Sequence, residues 1–302
     1  MRALRQRWST PDGRLLQREI QSRLAAGAGL DDLDLAEVDG KRDLRGFPAS
    51  PPVSQWRGAH LAGIDLSGAS LAGVRLFDCT LESVRLDRAV CHDWRLWGST
   101  VADTTFTGAE LRGSSLGAWR EGRGNRYERV SFVRADLTAV GSSAATYTDC
   151  DFSFARLDRV NFWQSSLVRC TFAGPLRDVV FDGRHLGEDK PDTNPMTEVD
   201  LSGAEFDGCE FRGTPFTTVR LPADPDLMMV TDVGQVDGAL AALSAADGTL
   251  PRTILQHARK LLGMGSAALL NARDFPAGAP AVRAALTAAG WRPGGPAVIP
   301  AD

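Results

Sequence analysis

The chain has 302 residues, 43% hydrophobic and 24% charged, with a net charge of −4. That composition fits a folded protein of one long domain or two and excludes a disordered chain. The charge lacks the basic footprint of nonspecific nucleic-acid binding, and no apolar run reaches a membrane span or a signal-peptide core, so a cytoplasmic protein is expected.

Residues 1–52 read as an N-terminal helix, a capping segment and a Pro-rich linker. Thr10-Pro11-Asp12 is a helix start with Pro at the first position, and Gly27 is a stop. Leu15, Leu16, Ile20 and Leu24 form an apolar stripe suited to docking on the end of a following stack. The alternative is a basic helix facing a membrane or nucleic acid, since residues 2–23 hold six arginines. Leu30 to Leu35 reads as a degenerate first coil, and Pro48 to Pro52 as a linker or tight crossing.

From there the chain repeats every five residues. Leu61, Leu66, Leu71, Leu76, Leu81, Leu86, Cys91, Leu96, Val101, Phe106, Leu111 and Leu116 keep one spacing. Small or apolar residues stand two before most of them, as at Ala59, Ile64, Ala69 and Val74. A period of five fits neither a helix nor a flat strand. It fits a chain that turns a corner every five residues and buries two side chains per side, in units that must stack.

This pattern resembles the pentapeptide-repeat family, whose unit is close to Ala-(Asp/Asn)-Leu-x-x. The best copies are Ile64-Asp65-Leu66-Ser67-Gly68, Ala135-Asp136-Leu137, Cys150-Asp151-Phe152, Val160-Asn161-Phe162 and Val199-Asp200-Leu201-Ser202-Gly203. The resemblance implies a mainly β fold, a right-handed quadrilateral β-helix with four repeats per coil. Residues 53–222 would form it, in about seven coils ~35 Å long.

Two interruptions break the rod. Residues 117–126 hold three glycines, read as an extruded loop, after which the phase is shifted by one: Phe132, Leu137, Phe152, Leu157, Phe162, Leu167 and Phe172. Pro175 is expected to end that block. A charged, proline-bearing loop follows at about 187–198, including Glu188, Asp189 and Lys190, before Leu201, Phe206, Phe211 and Phe216 resume. Trp94 and Arg184 occupy slots that elsewhere hold small side chains, so irregular coils are expected there.

Residues 223–302 lose the period and read as a small helical domain, a cap or a dimerisation unit. Helices are expected at Gln235–Ala246, Thr249–Leu262 (Thr249 as cap), Ser266–Ala272 and Ala279–Ala289.

No catalytic, cofactor-binding or metal-binding motif is present. The five cysteines fall at inward positions and read as core filler. A 20-residue coil stacks Phe77 under Trp97 and Arg75 under Arg95, with Trp119 and Arg120 close by in the loop. Together with Glu188, Asp189 and Lys190, these are the candidate partner-binding residues. The plain alternative is that guanidinium groups merely cover the rings.

The expected function is therefore a non-enzymatic scaffold that binds a protein partner along its faces and loops. Quinolone-resistance members of the family resemble a DNA duplex, so the resemblance also implies an alternative, a DNA-mimicking partner of DNA gyrase. Against it, residues 53–222 carry 19 basic and 23 acidic side chains, a mixed surface rather than an acidic one.

Overall fold

The computed structural model describes residues 2–49, 54–184, 196–265 and 267–293. Its centre is a quadrilateral β-helix built on the five-residue period. Two residues after most inward side chains, the backbone enters the left-handed region, as at Gly68 (φ 64°), Gly73 (71°), Asp78 (56°), Ser83 (55°) and Arg88 (55°). That single step turns the corner. On the third and fourth faces the turn is also closed by a hydrogen bond, as from Ala69 N to Leu66 O at 3.0 Å and Val74 N to Leu71 O at 3.3 Å.

Between corners, each coil donates to the next in parallel register, twenty residues on. Gln55–Arg57, Arg75–Phe77 and Arg95–Trp97 stack on the first face. The second face is a seven-stranded parallel ladder from His60–Ala62 to Met196–Thr197. At ~4.8 Å per strand it spans about 29 Å.

The interior is a set of columns. Leu61, Leu66, Leu71, Leu76, Leu81, Leu86, Leu111, Leu116, Leu137, Leu157, Leu167 and Leu201 are buried. So are Phe106, Phe132, Phe152, Phe162, Phe172, Phe206, Phe211 and Phe216. Phe106, Phe132, Phe152 and Phe172 stack ring on ring at 5.3, 4.9 and 4.8 Å between centroids.

The slot two before each inward residue has a second job, because a short donor there reaches the carbonyl 23 residues back. Cys79, Cys150 and Cys170 bond Trp56, Tyr127 and Tyr147 in this way. Trp94 does so with its indole, Nε1 to Leu71 O at 2.6 Å, and lies fully inside. The overfilling expected at Trp94 is offset by Cys91, which stands where neighbouring coils carry Leu71 and Leu111, and by Ser114 on the next coil.

Arg184 does not enter the interior. It turns to the carboxylate of Asp182, which is itself buried.

Three details depart from expectation. The rod begins before the Pro-rich stretch: Arg42 pairs Ile64 and Pro48 bridges Ser70, so residues 41–49 already belong to the stack. Pro175 does not end a block. It lies within a continuous strand, Thr171–Arg177, that pairs with Asp200–Asp207. Ser266–Ala272 is not a helix: Ala268–Asn271 is a strand, antiparallel to Leu227–Val230.

Both ends of the rod are covered. Helix α1 (Arg2–Gln6) and helix α2 (Pro11–Ala26) lie over the first coil, with Ile20 and Leu24 buried and Leu15 left exposed. Thr10 caps α2, accepting from Gly13 N at 3.0 Å, and Gly27 ends it at φ 73°. Arg7 clamps this cap to Asp43 with two bonds of 2.8 Å, and Trp8 Nε1 donates to Arg45 O.

At the other end the two-stranded ribbon alternates by face. Leu227, Met229 and Leu269 meet the rod core, while Met228, Val230, Ala268 and Leu270 meet the helices. Those are α3 (Val233–Ala242), α4 (Thr249–Leu262) and α5 (Ala279–Ala288). Gly248, not Thr249, is the cap of α4.

Candidate interaction surface

The first face carries two outward columns, one on each side of the buried Trp56–Leu76–Leu96 line. One holds Gln55, Arg75 and Arg95; the other holds Arg57, Phe77 and Trp97. Parallel register places identical positions one strand spacing apart, which is close to ring-stacking distance. Phe77 and Trp97 accordingly stack at 4.6 Å with planes 6° apart. The guanidinium of Arg57 lies 4.3 Å over the other side of Phe77, so cation, ring and ring follow each other coil by coil. Both rings are half-buried rather than exposed.

Arg75 and Arg95, the arginines singled out in the sequence, do not cover the rings. Arg95 is half-buried and donates to Trp94 O and Gly113 O, both at 2.8 Å, which fastens two coils together. Arg75 is exposed at the edge of the column.

The extruded loop adds to the cover that Arg57 provides. Residues 117–125 form a tight hairpin in which Arg120 and Arg123 exchange backbone bonds of 2.9 and 3.0 Å. Its tip is Glu121-Gly122 with φ of 51° and 78°, the left-handed pair of a type I′ turn. The hairpin folds back across two coils. Arg123 reaches Asp78 at 2.6 Å and Arg120 reaches it at 3.5 Å, with the Arg120 guanidinium 5.7 Å from the Phe77 ring. Gly98 makes room for this clamp, because a Cβ there would meet Asp78 Oδ1 at 2.5 Å and Arg123 Nε at 3.2 Å. Trp119, next to Arg120 in the hairpin, stays exposed at 37%.

The hairpin is held at its base by a residue that sequence reasoning missed. Asn125 is fully buried. Its amide donates to Leu96 O and Leu116 O at 2.9 and 2.8 Å, and its oxygen accepts from Ser99 N at 3.0 Å. The side chain thus supplies the bonds that the ladder loses where the chain leaves the coil. The signal was an asparagine at the very end of a glycine-rich insertion.

Of the remaining candidates, Glu188, Asp189 and Lys190, with the loop around them, lie outside the described residues.

Elsewhere the rod's charges are matched between coils. Down the corner after the second face run Asp103, Arg129, Asp149, Arg169 and Glu198. Arg129 pairs Asp103 at 2.6 Å and Arg169 pairs Asp149 at 2.7 Å. These arginines hold both aspartates below the usual carboxylate range. Arg85–Asp65 and Arg220–Asp200, each 3.1 Å, repeat the arrangement on the third face.

Burial pushes the thiols of Cys79, Cys91 and Cys150 up, and that of Cys209 to about 11, which disfavours the reactive thiolate at these four. Among the described residues no group of three or more His, Cys, Asp or Glu could hold a metal ion, and no helix is long and apolar enough to cross a membrane.

Comparison with known families matches residues 57–90 to the model described as pentapeptide repeats, in 8 copies. No curated protein matches the chain. Among solved structures, the chain is similar to HetL, a pentapeptide repeat protein involved in heterocyst differentiation regulation from the cyanobacterium Nostoc sp. strain PCC 7120. The identity is 16%, over 68% of this chain and 97% of that one, with a TM-score of 0.41. It is also similar to QnrB1, a plasmid-mediated fluoroquinolone resistance protein, at 15% identity over 56% and 76% of the two chains, TM-score 0.32. A pentapeptide repeat protein of the Arabidopsis thaliana thylakoid lumen is 23% identical over 53% and 70%, TM-score 0.20.

Proposed function

Because this is a pentapeptide-repeat protein, we propose that it works as a non-enzymatic scaffold, docking a protein partner on the first face and the 117–125 hairpin. The observation that carries this reading is the Arg57–Phe77–Trp97 stack, reached by Arg120 of a clamped hairpin that also holds the exposed Trp119. Aromatic and arginine side chains on a preorganised surface dominate binding energy at protein interfaces, since little ordering remains to be done on contact. With Arg57, Arg75 and Arg123 exposed around the rings, the fitting partner is an acidic segment with an apolar anchor.

Duplex mimicry has less support, because that role needs an uncompensated acidic surface and many of the rod's carboxylates are paired with arginines. Pull-down with wild type and with the Trp97→Ala/Trp119→Ala variant, followed by identification of the recovered proteins, tests the scaffold reading. Loss of a specific partner in the variant is expected; unchanged recovery removes the first face from consideration. A gyrase supercoiling assay with and without a quinolone addresses the alternative, and no effect at micromolar protein is expected.

A further inference from the structure

The N-terminal cap and the first coil enclose a cleft of about 380 Å³ that the scaffold reading does not use. Arg5, Trp8, Ser9, Arg14, Gln17 and Ser70 line it, together with Gly46 and Pro48. No lining residue is acidic. Asp43, which holds the cap to the rod, is already taken by Arg7 at 2.8 Å and Arg45 at 3.0 Å. Arg5 makes one long bond, 3.4 Å to Gly68 O, and has no carboxylate partner among the described residues. Arg14 is exposed in the first turn of α2, where the helix dipole already disfavours a cation.

The local charge runs against that of the whole chain. Residues 2–26 hold six arginines against Asp12 and Glu19, while the protein is net negative. Two arginines and two serines thus line one concave place. That is a donor set for a tetrahedral or planar oxyanion, and arginine binds such groups through paired N–H bonds. The volume falls in the range of small-molecule sites, large enough for a phosphate with an organic body attached.

We propose that this cleft binds a phosphate-bearing ligand, with Arg5 and Arg14 gripping the phosphoryl oxygens and Ser9 and Ser70 donating from the sides. A ligand seated there touches both α2 and the first coil, so binding would tighten the cap against the rod.

The test is calorimetric titration of the full chain with inorganic pyrophosphate and with adenosine monophosphate, at constant ionic strength against chloride. Saturable binding is expected, weakened at least tenfold in Arg5→Gln/Arg14→Gln. Both side chains are exposed, and the unfolding temperature of the variant checks that the cap is intact. Ser9→Asp is an independent variant that places a negative charge at the cleft and should also weaken binding.

A second arm uses phosphatidylcholine vesicles with and without phosphatidylinositol bisphosphate. Vesicle binding that pyrophosphate competes away assigns the phosphate to a lipid headgroup; binding of the soluble ligands alone assigns it to a free phosphate compound. No saturable binding in either arm, or binding equal in wild type and double variant, overturns the proposal.

Discussion

The corner residue sets the energetics of this fold. Most quintets turn on a left-handed backbone, which glycine tolerates and most side chains do not. Ala139 sits there with φ 55° and is exposed. Ala139→Gly should therefore stabilise the protein by ~0.5–1 kcal/mol, the strain relieved exceeding the added freedom of the unfolded chain. The same exchange at Ala284, exposed in the middle of α5, should destabilise by about 1 kcal/mol. Chemical denaturation of the two variants reads opposite signs if the corner geometry is right. Asn125 shows the converse case, one side chain replacing missing ladder bonds. Asn125→Ala should cost about 2–4 kcal/mol, because Leu96 O and Ser99 N lose the buried partner that the side chain gives them and Leu116 O is left with Tyr127 alone. The same denaturation experiment measures it.

Among the elements, the N-terminal cap hangs on one buried carboxylate. Burial alone would raise the Asp43 carboxyl, but hydrogen bonds from Arg45 and Arg7 overcome it and hold the group well below the usual carboxylate range. A depressed carboxyl contributes stability that is complete above its unfolded value, near pH 4, and lost as pH falls toward its folded one. Amide exchange over residues 2–26 should thus accelerate below about pH 4 before the rod is affected. Asp43→Asn should loosen the same segment at neutral pH, by an amount on the order of 3 kcal/mol. Equal protection of cap and rod across that range would contradict this.

How much of each element the sequence disclosed follows from its period. The rod was legible from Leu61 to Leu116 because twelve inward positions in phase leave no other fold to satisfy them. Residues 41–49 were not, since the first coil carries Asp43 and Pro48 at ladder positions instead of repeat residues. Ala268–Asn271 is apolar on both faces, Ala-Leu-Leu-Asn, and so short a run fits a helix or a buried strand equally. The Phe77–Trp97 stack followed from the twenty-residue coil, and Arg57 stands in the same register one coil before Phe77. The Asp78 clamp did not follow, because it depends on where a hairpin folds after it leaves the coil, which no local pattern encodes.

For the whole molecule, closure of the two ends matters most. A parallel β-helix presents unpaired backbone at each terminus, and such an edge recruits other chains. Here the C-terminal ribbon occupies that place and is tied down by Asn271, whose amide donates to Phe206 O at 2.9 Å. Ending the chain after Pro225 should bare Phe206, Phe211 and Phe216 and yield concentration-dependent oligomers by light scattering. A monodisperse truncated rod would instead make the C-terminal unit an independent module.

The two interruptions of the second face have a further meaning. Strand partners there are normally 20 residues apart, but 26 between Thr100 and Arg126 and 29 between Leu167 and Met196. Chain entropy rises only with the logarithm of such a separation, so the extra six residues cost roughly 0.2 kcal/mol. A rod assembled this way can accept new segments at its corners almost without thermodynamic consequence. Its recognition surface is therefore free to diversify while the supporting spiral stays fixed.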